Sequence, residues 1–406
     1  MNWSRVIILV DMNAFFASVE QMDRLEWQGC PIAVTNGVQG TTIITSSYEA
    51  RALGVKTGMR LKQARMLCPE LIQAPARPER YAAISTCIMR ALTDITPDVE
   101  VFSVDEAFLD VTHCQKLLGA PEQIAARVKK TVFKASGVLC SVGVSGDKTT
   151  AKYAAKLNKP DGLTIIPPWQ AEMMLSAAPV TDLCGVNKGI GGFLAQRGVL
   201  RCGDMKKIPS SVLAKRFGSP GQRIWLMAQG KDPSPVMTDI PAPKSMGHGK
   251  VIPPNTRDKS VLLTYFQHMS EKLGSRLRKY QLQAQTYFIA LKTNGGWIKT
   301  RSRTQIPVND GLLIYGLCER FLHDFWKPQY GVSQVQVTAL DPQPENMQLD
   351  LFAVNDEKKA SVNRVMDGVN TRYGEFTLSP ARLINRSQMP NVIAPAWKPD
   401  GHRQTI

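Results

Sequence analysis

Two acidic stretches, each set inside an apolar run, carry the residue types best suited to chemistry. The first is Val6-Ile-Ile-Leu-Val-Asp11-Met-Asn-Ala-Phe-Phe16, and the second is Val101-Phe-Ser-Val-Asp105-Glu106-Ala-Phe-Leu-Asp110-Val. A carboxylate at the end of a β-branched strand is costly to bury unless a cation compensates it. Asp11, Asp105 and Glu106 brought together would repel one another, and the cheapest remedy is one or two divalent cations held by oxygen ligands. A metal pair about 4 Å apart activates an attacking oxygen and stabilises a leaving one, so the chemistry suggested is phosphoryl transfer. Any one of these acids alone would read as a surface-turn carboxylate; only their convergence points to a metal site.

The elements that must position them follow from periodicity. Residues 5–10 read as a central strand bounded by Asp11, and 13–24 as a helix with Phe16, Val19 and Met22 at helical spacing. Short strands are expected at 31–34 and 41–46, and short helices at 48–53 and 61–67. A helix over 80–93 leads to a hairpin with strands near 99–104 and 107–112 and Asp105-Glu106 between them. A helix over 122–136, a strand over 139–145, a helix over 148–157 and a strand at 164–166 complete the region. With the stretch before residue 80 taken as an insertion, the order is strand, helix, two strands, helix, strand. That is a split βαβ arrangement, which sets the hairpin turn beside the end of the first strand.

From Trp169 to about Val236 the pattern is short helices broken by Gly and Pro. Gly185-Val-Asn-Lys-Gly189-Ile, followed by Gly198, resembles a helix–hairpin–helix that offers backbone N–H groups to a phosphate; an ordinary helix–turn–helix packing unit fits these residues equally well. Pro233 to Pro243 holds four prolines and reads as a linker. Beyond it come a strand (245–252), a helix (258–279), two strands (283–292 and 297–306), a helix (310–325) and a strand (332–340). The tail carries Gln348-Leu-Asp-Leu-Phe352 and a helix near 358–373.

At 406 residues the chain is long enough for two to four domains, and its net charge of +16 favours a polyanionic partner. Lys244 to Arg303 holds 12 Lys/Arg against 2 Asp/Glu, a density that points to nucleic-acid phosphates rather than to a merely solvated face. The eight cysteines form no Cys-x-x-Cys pair and none stands beside a His at zinc spacing, which argues against a disulfide framework or a zinc site. No apolar run reaches the ~18 residues of a membrane span, so the expected location is the cytoplasm.

Four segments together resemble the Y-family translesion DNA polymerases, most closely the bacterial DNA polymerase IV, or DinB-type, branch. They are Asp11 to Glu20, Tyr48-Glu-Ala-Arg51-Ala-Leu-Gly-Val-Lys56, Ser103 to Asp110, and Ala155-Lys-Leu-Asn-Lys159-Pro-Asp-Gly162. Two features lean instead toward the UmuC branch: Asn13, where the DinB type has a second Asp, and the segment Val365 to Gly374.

The resemblance implies an α+β right hand. The palm would be 1–13 and 80–168, the fingers 14–79, the thumb 169–235, the linker 236–243 and the little finger 244–341, with 342–406 as a tail. It implies that Asp11, Asp105, Glu106 and the carbonyl of Met12 hold two Mg²⁺; Asp110, on the following strand with even parity from Glu106, reads as structural. Thr45, Tyr48, Arg51 and Lys159 would hold the dNTP triphosphate. Phe16 would exclude a 2′-hydroxyl, with Phe15 beside it turned toward the core. Ile44, Gly58, Met59 and Ala76 would roof the nascent base pair. Arg301, Arg303, Lys250, Gly185 and Gly189 would contact primer–template DNA. Gln348, Leu349, Leu351 and Phe352 would dock on the bacterial sliding clamp. The expected function is low-fidelity, template-directed synthesis by a monomer without proofreading. The alternatives are a UmuC-like subunit needing an accessory protein through its tail, a nucleotidyl cyclase, and an inactive clamp-tethered scaffold.

Overall fold

The computed structural model describes residues 3–38, 40–240, 242–345 and 357–386, and the chain divides into two compact units, one ending at Ile240 and the other beginning at Pro241. In the first unit β1 (Ile7–Met12) runs into α1 (Phe15–Asp23) through Ala14, whose φ of 43° lies in the left-handed region. That conformation costs about 1–2 kcal/mol in a non-glycine residue. It is held by hydrogen bonds from Asn13 N–H to the Leu139 carbonyl (2.9 Å) and from the Ser18 hydroxyl to the Asn13 carbonyl (2.6 Å).

β2 (Ile32–Thr35), β3 (Ile43–Ser46) and β4 (Ile72–Pro75) form a separate small sheet in the order β3-β2-β4. Helices α2 (Tyr48–Ala52) and α3 (Leu61–Leu67) accompany it, over a core of Ala33, Ile43, Val55, Leu61 and Leu71. β4 was not expected: its four residues are flanked by prolines, lack alternation, and pair in parallel with a strand far away in sequence.

α4 (Pro78–Thr93) returns the chain to the main sheet, followed by β5 (Val99–Val101), β6 (Glu106–Asp110), α5 (Gln115–Leu118), α6 (Pro121–Ser136), β7 (Cys140–Ser145), α7 (Lys148–Leu157) and β8 (Leu163–Ile165). The sheet order is β5-β6-β1-β7-β8, with β1 antiparallel to both its neighbours. This is the expected split βαβ order with one added parallel edge strand.

Two boundaries move. Asp11 and Met12 lie inside β1, and Glu106 opens β6 rather than sitting in the turn. The reason is register: the acids extend the ladder, with Asp11 paired to Glu106 and Met12 N–H donating to the Asp105 carbonyl at 2.9 Å.

Both faces of this sheet are covered, so β1 reads as a continuous apolar run. Ile8, Val10 and Met12 pack toward the α4–α6 side, with Tyr81, Ile88, Ile124 and Val128. The alternate residues Ile7 and Leu9 join Phe108, Ala151 and Ala155 on the α7 side. By the two-residue strand period Asp11 and Glu106 fall on that second face. α7 lies directly against it, because a side chain at Gly143 would meet the Ala151 carbonyl oxygen at 2.1 Å.

A helical region follows: α8 (Ala171–Ser176), α9 (Lys188–Ala195), α10 (Ser210–Phe217) and α11 (Ser219–Met227), around Leu175, Leu194, Met205, Leu213 and Ile224. The expected helix–hairpin–helix has a reduced first member. A single 3-10 turn, Val180–Asp182, precedes the hairpin, and α9 follows with Asn187 as its cap.

The second unit has the same element order and a different arrangement. It contains β9 (Met246–Thr256), α12 (Lys259–Lys279), β10 (Leu282–Thr293), β11 (Gly296–Val308), α13 (Gly311–Phe325), β12 (Val332–Ala339) and β13 (Gln343–Pro344). Its main sheet runs β11-β10-β12-β9, and β13 pairs with β10. β9 is longer than expected; it is an edge strand, where Pro253 and Pro254 are tolerated.

Residues 357–386 of the expected tail are part of this unit. α14 (Glu357–Tyr373) docks through a two-pronged Arg278–Asp367 ion pair (2.6 and 2.8 Å) and an Asn363–Asp310 hydrogen bond (2.8 Å). Lys272 pairs with Glu375 at 2.9 Å, and Leu383 is fully buried. The module therefore runs past residue 341, to Arg386. The inner side of α14 is polar, which is why apolar periodicity did not mark it as a docking helix. Among the described residues no helix is long and apolar enough to cross a membrane.

Candidate active site

Asp11, Asp105 and Glu106 converge where β1 and β6 end together. Burial pushes the Asp11 carboxyl up to about 7, opposed by the Lys159 ammonium and reinforced by the neighbouring Glu106 and Asp105 charges. Asp105 is also raised, first by burial and then by Glu106, while the Ser103 hydroxyl donates to its Oδ1 at 2.6 Å and acts the other way. The Asp11 carboxylate is ion-paired with Lys159, and the Glu106 carboxylate with Lys152. Asp110 lies on the same face as Glu106 at the far end of β6. There it accepts hydrogen bonds from the Thr112 hydroxyl (2.6 Å) and backbone N–H (3.0 Å), which fits its expected structural role.

The donor set suits a hard divalent cation. Three carboxylates and the Met12 carbonyl offer only oxygen, and the mutual repulsion of the carboxylates is relieved by positive charge. Among the described residues no three acidic, His or Cys side chains already surround one point; two of the three acids here are engaged by lysines instead.

The expected nucleotide residues divide between the two sheets of the first unit. Tyr48 opens α2 behind Ser47, whose Oγ accepts the Ala50 N–H as cap. Arg51 is fixed by its Nε to the Ser46 carbonyl (3.0 Å) and by Nη2 to Thr45 Oγ1 (3.3 Å), with its guanidinium 4.9 Å from the Tyr48 ring centre. Thr45, Tyr48 and Arg51 are thus one cluster. The Tyr48 phenol is raised first by burial, and the Asp11 charge adds to the rise.

Lys159 comes from the α7–β8 loop. Asp161 N–H donates to Asn13 Oδ1 at 2.8 Å, Asn13 Nδ2 donates to Ser141 Oγ at 2.9 Å, and Lys129 pairs with Asp161 at 2.8 Å. A side chain at Gly162 would strike the Asn158 carbonyl oxygen at 1.9 Å. Asn13 therefore has a local job that its reading as a branch marker did not suggest: it ties the Lys159 loop to the end of β1.

Phe15 and Phe16 are both buried. Phe16 stacks on Tyr81, with centroids 4.3 Å apart and planes 13° from parallel. The Tyr81 hydroxyl donates to Glu20 Oε1 at 2.7 Å, and the same oxygen accepts Arg77 Nε at 2.8 Å. The ring under Phe16 is thus anchored by a fully buried carboxylate.

Ile44 and Ala76 pack on the core of the main sheet, while Met59 packs on that of the small sheet. Gly58, with φ of +83°, follows β3 as an irregular edge, its N–H donating to the Ile43 carbonyl at 2.8 Å. Gly185, with φ of +89°, sits in the hairpin before α9 and Gly189 in the first turn of that helix.

In the second unit the register pairs Arg301 with Phe288, Arg303 with Thr286 and Lys299 with Ala290. The alternate residues Tyr287, Ile289 and Leu291 are buried in the α12–α13 core, so these three cations occupy the opposite face. Lys250 does not join them. It pairs with Val335 in register, is only 8% exposed, and lies on the helix-covered side near Lys272 and Glu375. The proposed clamp residues Gln348, Leu349, Leu351 and Phe352 lie outside the described residues.

Ser103, Lys152, Tyr81 and Glu20 were not assigned roles from sequence. Lys152 had a usable signal: Lys148, Lys152 and Lys156 recur every four residues on one face of α7. They pair with Glu100 (2.5 Å), Glu106 and Asp182 (2.8 Å) respectively.

Comparison with known proteins agrees with this geometry. Residues 10–156 match the model of the impB/mucB/samB family, and residues 243–351 match that family's C-terminal domain. DNA polymerase IV of Desulfatibacillum aliphaticivorans is 33% identical over 93% of this chain and 97% of its own length. DNA polymerase IV of Moorella thermoacetica is 35% identical over 94% and 95%, and DNA polymerase IV 2 of Bacillus subtilis is 30% identical over 94% and 95%. A solved Y-family DNA polymerase chimera, Dbh–Dpo4–Dbh, superposes with a TM-score of 0.71 at 26% identity, covering 84% of this chain and 99% of that one. Motifs, sheet order and similarity along nearly the whole length converge on one statement: the chain belongs to the Y-family DNA polymerases, in their DNA polymerase IV branch, and is a DNA-directed DNA polymerase.

Proposed function

We propose that this polymerase extends primers across damaged template by in-line attack of the primer 3′-oxygen on the α-phosphate of a dNTP, without proofreading. The observation that carries the reading is the pairing of Asp11 with Glu106 beside Asp105, at the end of two buried strands. Asp11, Asp105, Glu106 and the Met12 carbonyl would hold two Mg²⁺. When bound, these ions supply charge stabilisation to the attacking and leaving oxygens. Arg51 offers a planar fork to phosphate oxygens, and Tyr48 and Thr45 offer hydroxyls beside it. Phe16, backed by Tyr81, fills the space a 2′-hydroxyl would need. In this reading residues up to 13 and 80–168 are the palm, 14–79 the fingers, 169–235 the thumb, and 244–341 with 357–386 the little finger. The relatives named above favour this over a cyclase, a scaffold, or a subunit that requires a partner. The direct test is extension of a primer on undamaged and lesion-bearing templates with Mg²⁺ and dNTPs; no product on either would refute it, and primer shortening without dNTPs would refute the absence of proofreading.

Lys299, Arg301 and Arg303 supply the DNA track of the second unit, along the sheet face opposite α12 and α13. Each phosphate neutralised releases counter-ions, so affinity falls steeply with salt. Replacing Arg301 and Arg303 together by Ala should reduce the log–log salt slope by about 2, equally for all template sequences. A fluorescence-anisotropy titration at several salt concentrations reads this directly, and an unchanged slope would move the track elsewhere.

Gln348 to Phe352 would dock on the sliding clamp, with Leu351 and Phe352 as apolar anchors. Tethering raises the local concentration of polymerase at the primer end. Leu351→Ala with Phe352→Ala should abolish clamp-stimulated synthesis and leave clamp-free extension at its normal rate. Equal stimulation of variant and wild type would remove this peptide from the reading.

A further inference from the structure

Two of the three catalytic acids are held by lysines seven residues apart, and the two lysines sit on differently built supports. Lys152 projects from α7, its ammonium paired with Glu106 and 4.7 Å from the centre of the Phe102 ring. It is the middle member of the row whose outer members reach Glu100 and Asp182. Lys159 sits on the loop fastened by Asn13, Ser141 and Lys129, so the backbone beneath it is fixed while its four-carbon stem is free to swing. Its ammonium is spent on Asp11. A lysine paired with Asp11 is not available to a triphosphate, and a cation arriving at Asp11 must compete with it.

We propose that Lys159 and Lys152 are resident counter-ions of the catalytic acids, and that a divalent cation displaces Lys159 from Asp11 and thereby frees it for the triphosphate. This rests on the proposed two-metal reading of the same site. The device has two consequences. Without a divalent cation, Asp11 and Glu106 stay neutralised and buried instead of repelling each other. Cation and nucleotide binding also become cooperative through one side chain: a cation that takes Asp11 releases Lys159 to the triphosphate, and a triphosphate that draws Lys159 away clears Asp11 for the cation, by the same factor in both directions. Lys152 has no such second engagement and acts as a positioning residue that holds Glu106 at the start of β6, opposite Asp11.

The test is Mn²⁺ binding by the full-length protein without DNA or nucleotide, followed by electron paramagnetic resonance. Lys159→Met should tighten Mn²⁺ binding by roughly 5- to 20-fold, because the competitor for Asp11 is gone. Arg51→Met is the control: it removes another cation of the proposed triphosphate set, one paired with no catalytic acid, and should change Mn²⁺ affinity by less than about twofold. Unchanged affinity in Lys159→Met, or an equal gain in Arg51→Met, overturns the proposal; the first would leave Lys159 a triphosphate ligand only, the second would reduce the effect to general charge. The unsubstituted protein provides a readout independent of whether Lys159→Met folds. With lysine isotope-labelled at Cε, the Lys159 resonance, assigned through Lys159→Arg, should move on adding Mg²⁺ alone, and a stationary resonance overturns the proposal. Failure of primer extension would sink the polymerase reading itself, whereas failure of the Mn²⁺ contrast sinks only the counter-ion role.

Discussion

Replacing Asp105 with Asn, or Glu106 with Gln, is expected to lower primer extension by at least about 10³-fold. DNA affinity should stay within a few-fold of wild type, because the cations proposed to meet the duplex lie on other elements. Each substitution preserves shape. In Asp105→Asn the amide oxygen can still accept the Ser103 hydroxyl, and in Glu106→Gln the amide oxygen can still accept the Lys152 ammonium. What is lost is the negative charge that, in the proposed reading, holds the cation. Single-turnover extension with the primer–template prebound measures the chemistry, and anisotropy measures the binding. Substantial extension by Asp105→Asn would break the assignment of that residue.

The second large effect concerns sugar choice. Phe16→Ala should raise ribonucleotide incorporation relative to dNTP by roughly 10²-fold, the range over which an apolar pocket discriminates by the space for one hydroxyl. The structure gives this prediction a companion. Phe16 rests flat on Tyr81, and Tyr81 is moored by its hydroxyl to Glu20. The proposed gate is therefore a two-layer stack, and Phe16 has no room to retreat without moving a buried aromatic. Deleting a buried ring costs about 3–5 kcal/mol at full burial, so Phe16→Val, which leaves less void, should show the same change of preference with a smaller loss of thermal stability. Competition between matched ribo- and deoxynucleotides on one template reads the ratio. Unaltered exclusion in both variants would shift the gate to Phe15.

Much of this site was legible because strand parity is strict. Asp11 ends an apolar run and Glu106 begins one, and once β1 and β6 pair in antiparallel register the two acids must share a face. Arg51 three residues after Tyr48 on one short helix was legible for the same kind of reason. The less legible parts depend on contacts remote in sequence. Nothing near Glu20 says that it accepts from Tyr81 and Arg77, and nothing near Asn13 says that it receives the Asp161 N–H across the sheet. β4 escaped because parallel pairing leaves no local hairpin signal. Lys250 was expected on the DNA track; counting alternate residues from Ile252, which is buried, puts it on the covered side.

The packing of residues 357–386 on α12 changes what counts as an exchangeable part. The family's C-terminal domain ends at residue 351 by similarity, but the folded unit does not end there. Arg278 and Lys272 have their carboxylate partners in the segment beyond, and the buried His268 ring meets Phe376 at 4.8 Å. A graft of this domain onto a related polymerase, cut at the similarity boundary, would carry α12 with a raw flank: two basic side chains stripped of their partners and an imidazole opened to water. Interchangeability between relatives is then set by where the last side chain is satisfied, and for this chain that point lies past the peptide proposed to hold the clamp.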